Sequence, residues 1–453
     1  MGSNPLHEPG LHLQTLEVEA AVQAHVGGLN LPESEDKRYT ASMRESSPSH
    51  FIGLDIGTST VRCVIGMLEE GGKLAIVGQG SAPNIGMRKG AIVHIDDVIE
   101  SVVQAVTEAE RLSGIQVHAA TVNINGSHVM GMNSKGVIAI STANREITVE
   151  DRLRVEEAAT IVKLPPNREI IQVFAKNYRL DGQDNIKDPV GMRGVRLEVD
   201  THIVTAATPN MRSLDIVLDK AHVQASHHTV SSLAAAEAVL NRQQKEAGTI
   251  LLDIGAGTTN LAVIEDGEVQ HVAVIPIGGI HITNDLAIGL KTDLDVAEAV
   301  KLQHASLGKG KKSVAKVTVG GVDHSFDNEE VQMITEARVE DLLEYVDKEL
   351  KKIQRSQKLP GGVVITGGTS KLPGLANFTK EKLQLAARIG KLEGVGGLID
   401  TVEDPSYYTA VGLVILDMLL MPLGDGHHQG AAGQSGAAVM GFLDGIMRKI
   451  KKH

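Results

Sequence analysis

At 453 residues the chain exceeds one ordinary domain. Roughly two to four domains are expected, around aliphatic cores because aromatics make up only 2% of the chain and tryptophan is missing. A formal net charge of -12, with so few rings to stack on bases, argues against nucleic acid as the main partner; a lone cysteine, Cys63, excludes an internal disulfide framework, and no apolar run approaches the ~18 residues of a membrane span, so a cytosolic protein is expected.

Residues 1–50 mix Pro, Gly, Ser and charges, the composition of a mostly disordered extension with room for one short helix from Leu13 to Val26. Acids stand there where a signal peptide needs a basic region and an apolar core. From Phe51 the texture changes: FIGLDIGTSTVRCVIGMLEEGGKLAIVGQGSA reads as strand, turn, strand, Gly-Gly turn, strand. A helix is predicted next, with Ile95, Val98, Ile99, Val102, Val103 and Val106 on one face and Gly114 as its stop. The strand AATVNING follows. Residues 125–206 differ in kind: a helix in EITVEDRLRVEEAATIV with Thr148 as N-cap, two short strands, then Val195, Leu197 and Val199 alternating with Arg196, Glu198 and Asp200. This is the pattern of a small α+β module with one solvated sheet face. Residues 292–359 read as helical and charged, with Val339, Leu342, Leu343, Val346, Leu350 and Ile353 marking a long amphipathic helix. GGVVITGGTSKLPGL is a further apolar strand broken by glycines.

The informative feature is a repeat. LDIGTSTVRCVIG (54–66) and LDIGAGTTNLAVIE (252–265) share one logic: an apolar strand ends in Asp-Ile-Gly, small hydroxylated residues turn the chain, and a second strand leaves. Such a tip can aim several backbone N–H groups at one anion because no side chain blocks the approach. Gly57, Thr58, Ser59 and Thr60 in one copy, with Gly255, Ala256, Gly257, Thr258, Thr259 and Asn260 in the other, would grip a polyphosphate from both sides. Asp55 and Asp253 would then lie near a phosphate-bound Mg²⁺, whose hydrated character suits carboxylates acting through water. Either hairpin alone reads as a plain β-turn; the pair, each with its acid, points to phosphate. Gly367, Gly368 and Thr369, after the later strand, suit the close approach of adenine or ribose. Glu298 and Lys301, one helical turn apart, are placed to reach ribose hydroxyls and the base edge, although in isolation they read as a solvated ion pair.

This arrangement resembles the actin, Hsp70 and sugar-kinase ATPase superfamily and, within it, the FtsA family of bacterial cell-division proteins. The resemblance runs from about Phe51 to Leu420 and includes DGQDNIKDPVGMRGVRLEVDTHIVT, VIPIGGIHITNDLA and DPSYYTAVGLVIL. It implies an α/β, actin-like duplicated ATPase fold: two lobes around a nucleotide cleft, an FtsA-type 1C subdomain, and a C-terminal amphipathic helix. On that scheme domain 1A comprises 51–124, 207–247 and 401–421; domain 1C, 125–206; domain 2A, 248–291 and 336–400; domain 2B, 292–335. The implied cofactors are ATP and Mg²⁺. The implied partners are the C-terminal tail of the tubulin-like FtsZ through domain 2B, further copies of the chain in a filament, and other divisome proteins through domain 1C. The chain departs from the family where Ala175 and Lys176 replace Pro-Gln, and where Ser231 and Ser232 stand at positions that often carry Glu-Pro. Without a carboxylate there, hydrolysis is expected to be slow, with Asp253 left to orient water.

Beyond Pro422 the composition of 422–438 is that of a linker, spanning ~20–25 Å as a random coil. In 439–453, Val439, Phe442, Leu443, Ile446, Met447 and Ile450 share a face, while Arg448, Lys449, Lys451 and Lys452 crowd the other side and the end. A basic amphipathic helix on an acidic chain fits the surface of an anionic membrane, and the resemblance implies that this is the cytoplasmic face of the cell membrane at the division site; the other reading is a helix docked on its own core. LGKGKKS (307–313) lacks P-loop spacing and reads as a solvated basic loop, and His227/His228 and His427/His428 lack companion metal ligands. Two alternatives stay open: a small-molecule kinase of the same superfamily, and an actin-like type IV pilus assembly protein. Neither gains from the basic tail.

Overall fold

The computed structural model describes residues 50–420 except 70–71, 142–143 and 309–312. The helix expected at Leu13 to Val26, part of the basic loop, the linker and the whole amphipathic segment 439–453 lie outside the described residues.

Short runs of mostly buried residues form β1 (His50–Ile56), β2 (Thr60–Leu68) and β3 (Leu74–Pro83), which pair as an antiparallel meander. The short ribbon β4 (Met87–Arg88) and β5 (Ala91–Ile92) leads to α1 (Ile95–Ser113), which Gly114 ends in a left-handed cap at φ 72°. The buried face of α1 is Val98, Ser101, Val102, Ala105, Val106 and Ala109. Val103, expected on that face, is 44% exposed: the small residues at 101, 105 and 109 seat the helix against β3 and turn Val103 outward. β6 (Ala119–Ile124) then runs parallel to β1.

The inserted module comprises β7 (Met130–Ala139), α2 (Val149–Thr160), β8 (Arg168–Leu180), β9 (Gln183–Ile186) and β10 (Arg196–Ala207). Thr148 caps α2 in a reciprocal box with Asp151. Of the two strands expected to be short, β8 is long, at 13 residues, and Val195 is exposed while Leu197 and Val199 are buried. The module has its own small core, including Ile147, Val155, Tyr178, Leu197 and Val199.

The first lobe resumes with α3 (Thr208–Lys220), β11 (Gln224–Val230), α4 (Ser231–Val239) and α5 (Arg242–Ala247). The second lobe repeats the opening: the meander β12 (Thr249–Ile254), β13 (Thr259–Glu265) and β14 (Glu268–Ile275), then α6 (Gly279–Gly289) and α7 (Leu294–His304). The stretch expected to be wholly helical is interrupted by a hairpin, β15 (Val314–Val319) and β16 (Val322–Asp327), before α8 (Asn328–Lys352). Alternation buries Ala315 and Val317, and Gly320 and Gly321, at φ 60° and 80°, make the two-residue turn that a right-twisted hairpin requires. β17 (Gly362–Thr366) lies parallel to β12, followed by α9 (Leu375–Leu383), β18 (Ala387–Ile389), β19 (Val395–Gly397), α10 (Ile399–Val402) and α11 (Tyr408–Leu420).

Two mixed sheets result, ordered β11-β6-β1-β2-β3-β19 and β18-β17-β12-β13-β14-β7-β10-β8-β9. The second passes from the second lobe into the inserted module: β14 meets β7 at Ala273 and Met130. There the Val272 N–H donates to His202 Nε2 at 3.0 Å, while Nδ1 donates to Asn133 Oδ1 at 2.9 Å. Burial holds this imidazole neutral, its pKa well below the usual range. α11 returns to the first lobe, where Asp417 accepts from the Ile52 N–H (3.0 Å) and from Thr121 Oγ1 (2.7 Å). Among the described residues no helix is long and apolar enough to cross a membrane.

Candidate functional site

The two Asp-Ile-Gly hairpins have the same construction. Register pairs Ile56 with Val61 and Ile254 with Thr259, leaving the tips Gly57–Thr60 and Gly255–Thr258. Each tip closes on the same bond, Gly57 N–H to the Thr60 carbonyl (3.2 Å) and Gly255 N–H to the Thr258 carbonyl (2.9 Å). The tips meet: a Cβ on Gly257 would lie 2.7 Å from Thr58 Cγ2. Behind the second tip, the Gly279 and Ile280 amides at the start of α6 bind the Gly255 and Ala256 carbonyls, both at 2.9 Å. Because the peptide unit is planar and trans, the N–H groups of Ala256 and Gly257 then point away from α6, on the side of a cavity of about 690 Å³ that the hairpins border.

Of the residues singled out from sequence, Asp55, Gly57, Thr58, Ser59, Thr60, Asp253, Gly255, Ala256, Thr258, Asn260, Glu298, Lys301, Gly367, Gly368 and Thr369 line this one cavity. Two do not. Gly257 is the contact between tips, and Thr259 is buried with its hydroxyl donated to the Ile277 carbonyl at 2.8 Å. Gly367, at φ 85°, leaves no room for a side chain, since a Cβ there would fall 2.5 Å from Asp253 Oδ1. Thr369 donates to the Gly255 carbonyl at 3.0 Å and joins this turn to the second hairpin.

The two acids occupy equivalent strand ends. Asp55 Oδ1 accepts from Asn123 Nδ2 at 2.7 Å. Burial pushes its carboxyl up to about 7, against the pull of Arg62 and with a further push from Asp253. Asp253 is raised to about 6, again by burial, tempered by bonds from Asn260 Nδ2 and Thr409 Oγ1, both 3.3 Å. Asn260 is 1% exposed, and its Oδ1 has no hydrogen-bond partner among the described residues. Once both are ionised, the two carboxylates and the orphan amide oxygen form an acceptor-only set, which fits the water shell of Mg²⁺.

Further along the cavity, Lys301 Nζ bonds Glu298 Oε2 at 2.6 Å and Thr283 Oγ1 at 2.9 Å, and Thr283 also donates to Glu298. The pair is thus tied to α6 rather than being a free surface ion pair. Ile280, Leu294 and Leu302 stand exposed around it and line the same cavity, an apolar wall that a planar base would cover.

Several contributors escaped the sequence reading. Asn123 accepts the Ile56 N–H (2.7 Å) and donates to Asp55 and to Ser231 Oγ (3.0 Å). Asn125 accepts from Thr258 Oγ1 (3.0 Å) across the cleft. Both lie in ATVNING, and two amides at the end of a buried strand beside β1 were the available signal. Arg62 is the cross-strand partner of Asp55 and stacks its guanidinium 5.1 Å from the Tyr407 ring centroid. Thr409 comes from α11, more than 150 residues from Asp253 (|i−j| = 156), with no local sign in the sequence. Ser231 and Ser232 are buried at the start of α4, and Ser231 borders the cavity.

A family model described as "Cell division protein FtsA" matches residues 250–412, and one described as "SHS2 domain inserted in FTSA" matches residues 126–205. The chain is 34% identical over 389 residues to the cell division protein FtsA of Pseudomonas aeruginosa, covering 85% of this chain and 92% of that one. It is 38% identical to FtsA of Bacillus subtilis, covering 80% and 82%, and 31% identical to FtsA of Escherichia coli K12, covering 80% and 89%. Solved structures share the fold at low identity. A PilM-PilN type IV pilus biogenesis complex matches at TM-score 0.59 and 17% identity, over 82% of this chain and 99% of that one. MreB 5 of Spiroplasma citri bound to AMPPNP matches at 0.50 and 13%, over 83% and 97%. The repeated hairpins around one cleft, the inserted module and this degree of identity over nearly whole chains agree: the protein has the actin-like fold and belongs to the FtsA family of cell-division proteins.

Proposed function

We propose that the protein binds Mg-ATP between its two hairpins, polymerises in the nucleotide-bound state on the cytoplasmic face of the membrane, and tethers the FtsZ ring there. The observation that carries this reading is the pair of identically closed tips meeting over one cavity. Tips built of small residues, the second of them backed by α6, leave amides for phosphate oxygens. Glu298 and Lys301 would hold the ribose and the base edge, with Gly367, Gly368 and Thr369 against the base. Asp55 and Asp253, with Asn260, would hold Mg²⁺ through its waters; the ion, when bound, offsets phosphate charge and favours the ionised form of both acids. Ser231, a hydroxyl already engaged with Asn123, offers no strong base beside the cavity, so Asp253 is left to orient water and turnover is slow. The nucleotide then acts mainly to hold the lobes together. The family supports FtsZ as a partner, through 292–335, and other divisome proteins as partners of 125–206. The segment 439–453, with Phe442, Leu443, Ile446, Met447, Arg448, Lys449 and Ile450, supports attachment to anionic lipid.

Gly257→Val tests the site without disturbing backbone conformation, because a left-handed φ is not required there. The branched side chain would drive the tips apart, so Mg-ATP affinity of the full-length protein should fall at least tenfold with the melting temperature nearly unchanged. Unaltered affinity in the folded variant would remove the hairpins from the site.

A further inference from the structure

We infer that Asn125, the side chain that joins the two hairpin lobes, reads the terminal phosphate of the nucleotide; the inference rests on the nucleotide reading of the cleft. Asn125 follows β6 in the first lobe, and its Oδ1 accepts both the Gly126 N–H at 2.6 Å and the hydroxyl of Thr258 at 3.0 Å. Thr258 belongs to the tip of the second hairpin and is 1% exposed. One side chain therefore bridges the lobes where the two tips meet and lines the cavity there. A backbone amide can only donate, so the atom facing Gly126 must be the amide oxygen. That orientation turns the NH₂ group the other way. Nδ2 makes no hydrogen bond to another described residue, and Asn125 lines the cavity beside Thr58, whose own Oγ1 is buried without a partner. A free NH₂ and an orphan hydroxyl at the junction of the tips are donors awaiting an anionic oxygen. A polyphosphate whose base lies against α7 presents its last phosphoryl group at that junction. A diphosphate would stop short and leave Nδ2 unpaired.

The test measures binding of Mg²⁺ with a non-hydrolysable ATP analogue, and of Mg-ADP, to the full-length protein by calorimetry. Asn125→Ala should weaken analogue binding roughly tenfold or more, the range for a bond to a charged group, while Mg-ADP affinity stays within about twofold. Asn125→Asp keeps an oxygen for Gly126 and Thr258 but replaces the donor by an acceptor. It should lose the analogue at least as severely, and it decides the matter if the alanine variant fails to fold. Equal losses for both nucleotides would make Asn125 a scaffold residue and overturn the inference, as would unchanged selectivity. Wild-type protein that binds neither nucleotide would instead overturn the reading of the cleft itself.

Discussion

Asp417 shows how one side chain governs a lobe. It is 2% exposed on an otherwise apolar helix, and both carboxyl oxygens are committed, one to the Ile52 amide and one to Thr121. Burial raises its pKa; those bonds and the neighbouring His227 and His50 pull the other way. A raised acid is neutral in the native state over a range where the unfolded chain has already ionised, from about pH 4 upward. Native protein then holds the extra proton, so this residue's contribution falls as pH climbs toward its native pKa and is constant below the unfolded value. Asp417→Asn can serve both partners without the charge. Its advantage in melting temperature over the parent should be larger at pH 7.5 than at pH 4.5, and an equal offset at both values would refute this account. At this scale the sequence was legible where chemistry is local: Asp55 and Asp253 announce themselves beside their glycines. Asn123, Asn125 and Thr409 were not, because their roles exist only once β6 and α11 are laid beside the hairpins.

Elements were legible in proportion to how much of their logic is contiguous. Each hairpin carries strand, acid, turn and strand within about a dozen residues, so the duplication could be read directly. The cap of α2 was equally readable from Thr148. The β15–β16 hairpin was not, because charges on both sides gave 292–359 a helical texture and only the Gly320–Gly321 turn and the alternation around Val317 spoke for strands. Those two glycines have φ values of 60° and 80°, where a side chain costs about 1–2 kcal/mol per residue. Replacing both by alanine should raise amide hydrogen exchange across Val314–Asp327 and leave β12 and β13 protected. Unchanged protection in the hairpin would mean that packing against α7, not the turn, maintains it.

For the whole molecule, the fold was legible through the repeat, but the continuity of the second sheet into the inserted module was not, since β14 and β7 lie far apart in sequence and meet through a single residue pair. Fold likeness alone would not have separated the alternatives: a pilus biogenesis complex shares the architecture at 17% identity, whereas the division proteins match at 31–38%. The proposed lipid attachment through 439–453 belongs to this scale too, because a single short basic segment would bind lipid weakly and a polymer would bind through many. Removing 439–453 should abolish co-sedimentation with anionic liposomes in the presence of Mg-ATP while leaving nucleotide affinity intact; equal sedimentation with and without the segment would rule it out as the anchor.

The joint between β14 and β7 has a mechanical corollary. The inserted module hangs from the first lobe by both its chain connections, yet its sheet is stitched to the second lobe at His202 and Val272. It is therefore tied to both lobes, and β8, whose middle residue Phe174 pairs with His202, reaches about 20 Å to either side of that seam at the usual strand rise. By that leverage a swing of about 10° at the seam would displace either end of β8 by roughly 3–4 Å, a large part of the spacing of neighbouring strands. A change too small to see in the cleft becomes, at the outer rim, the difference between meshing with another molecule and missing it.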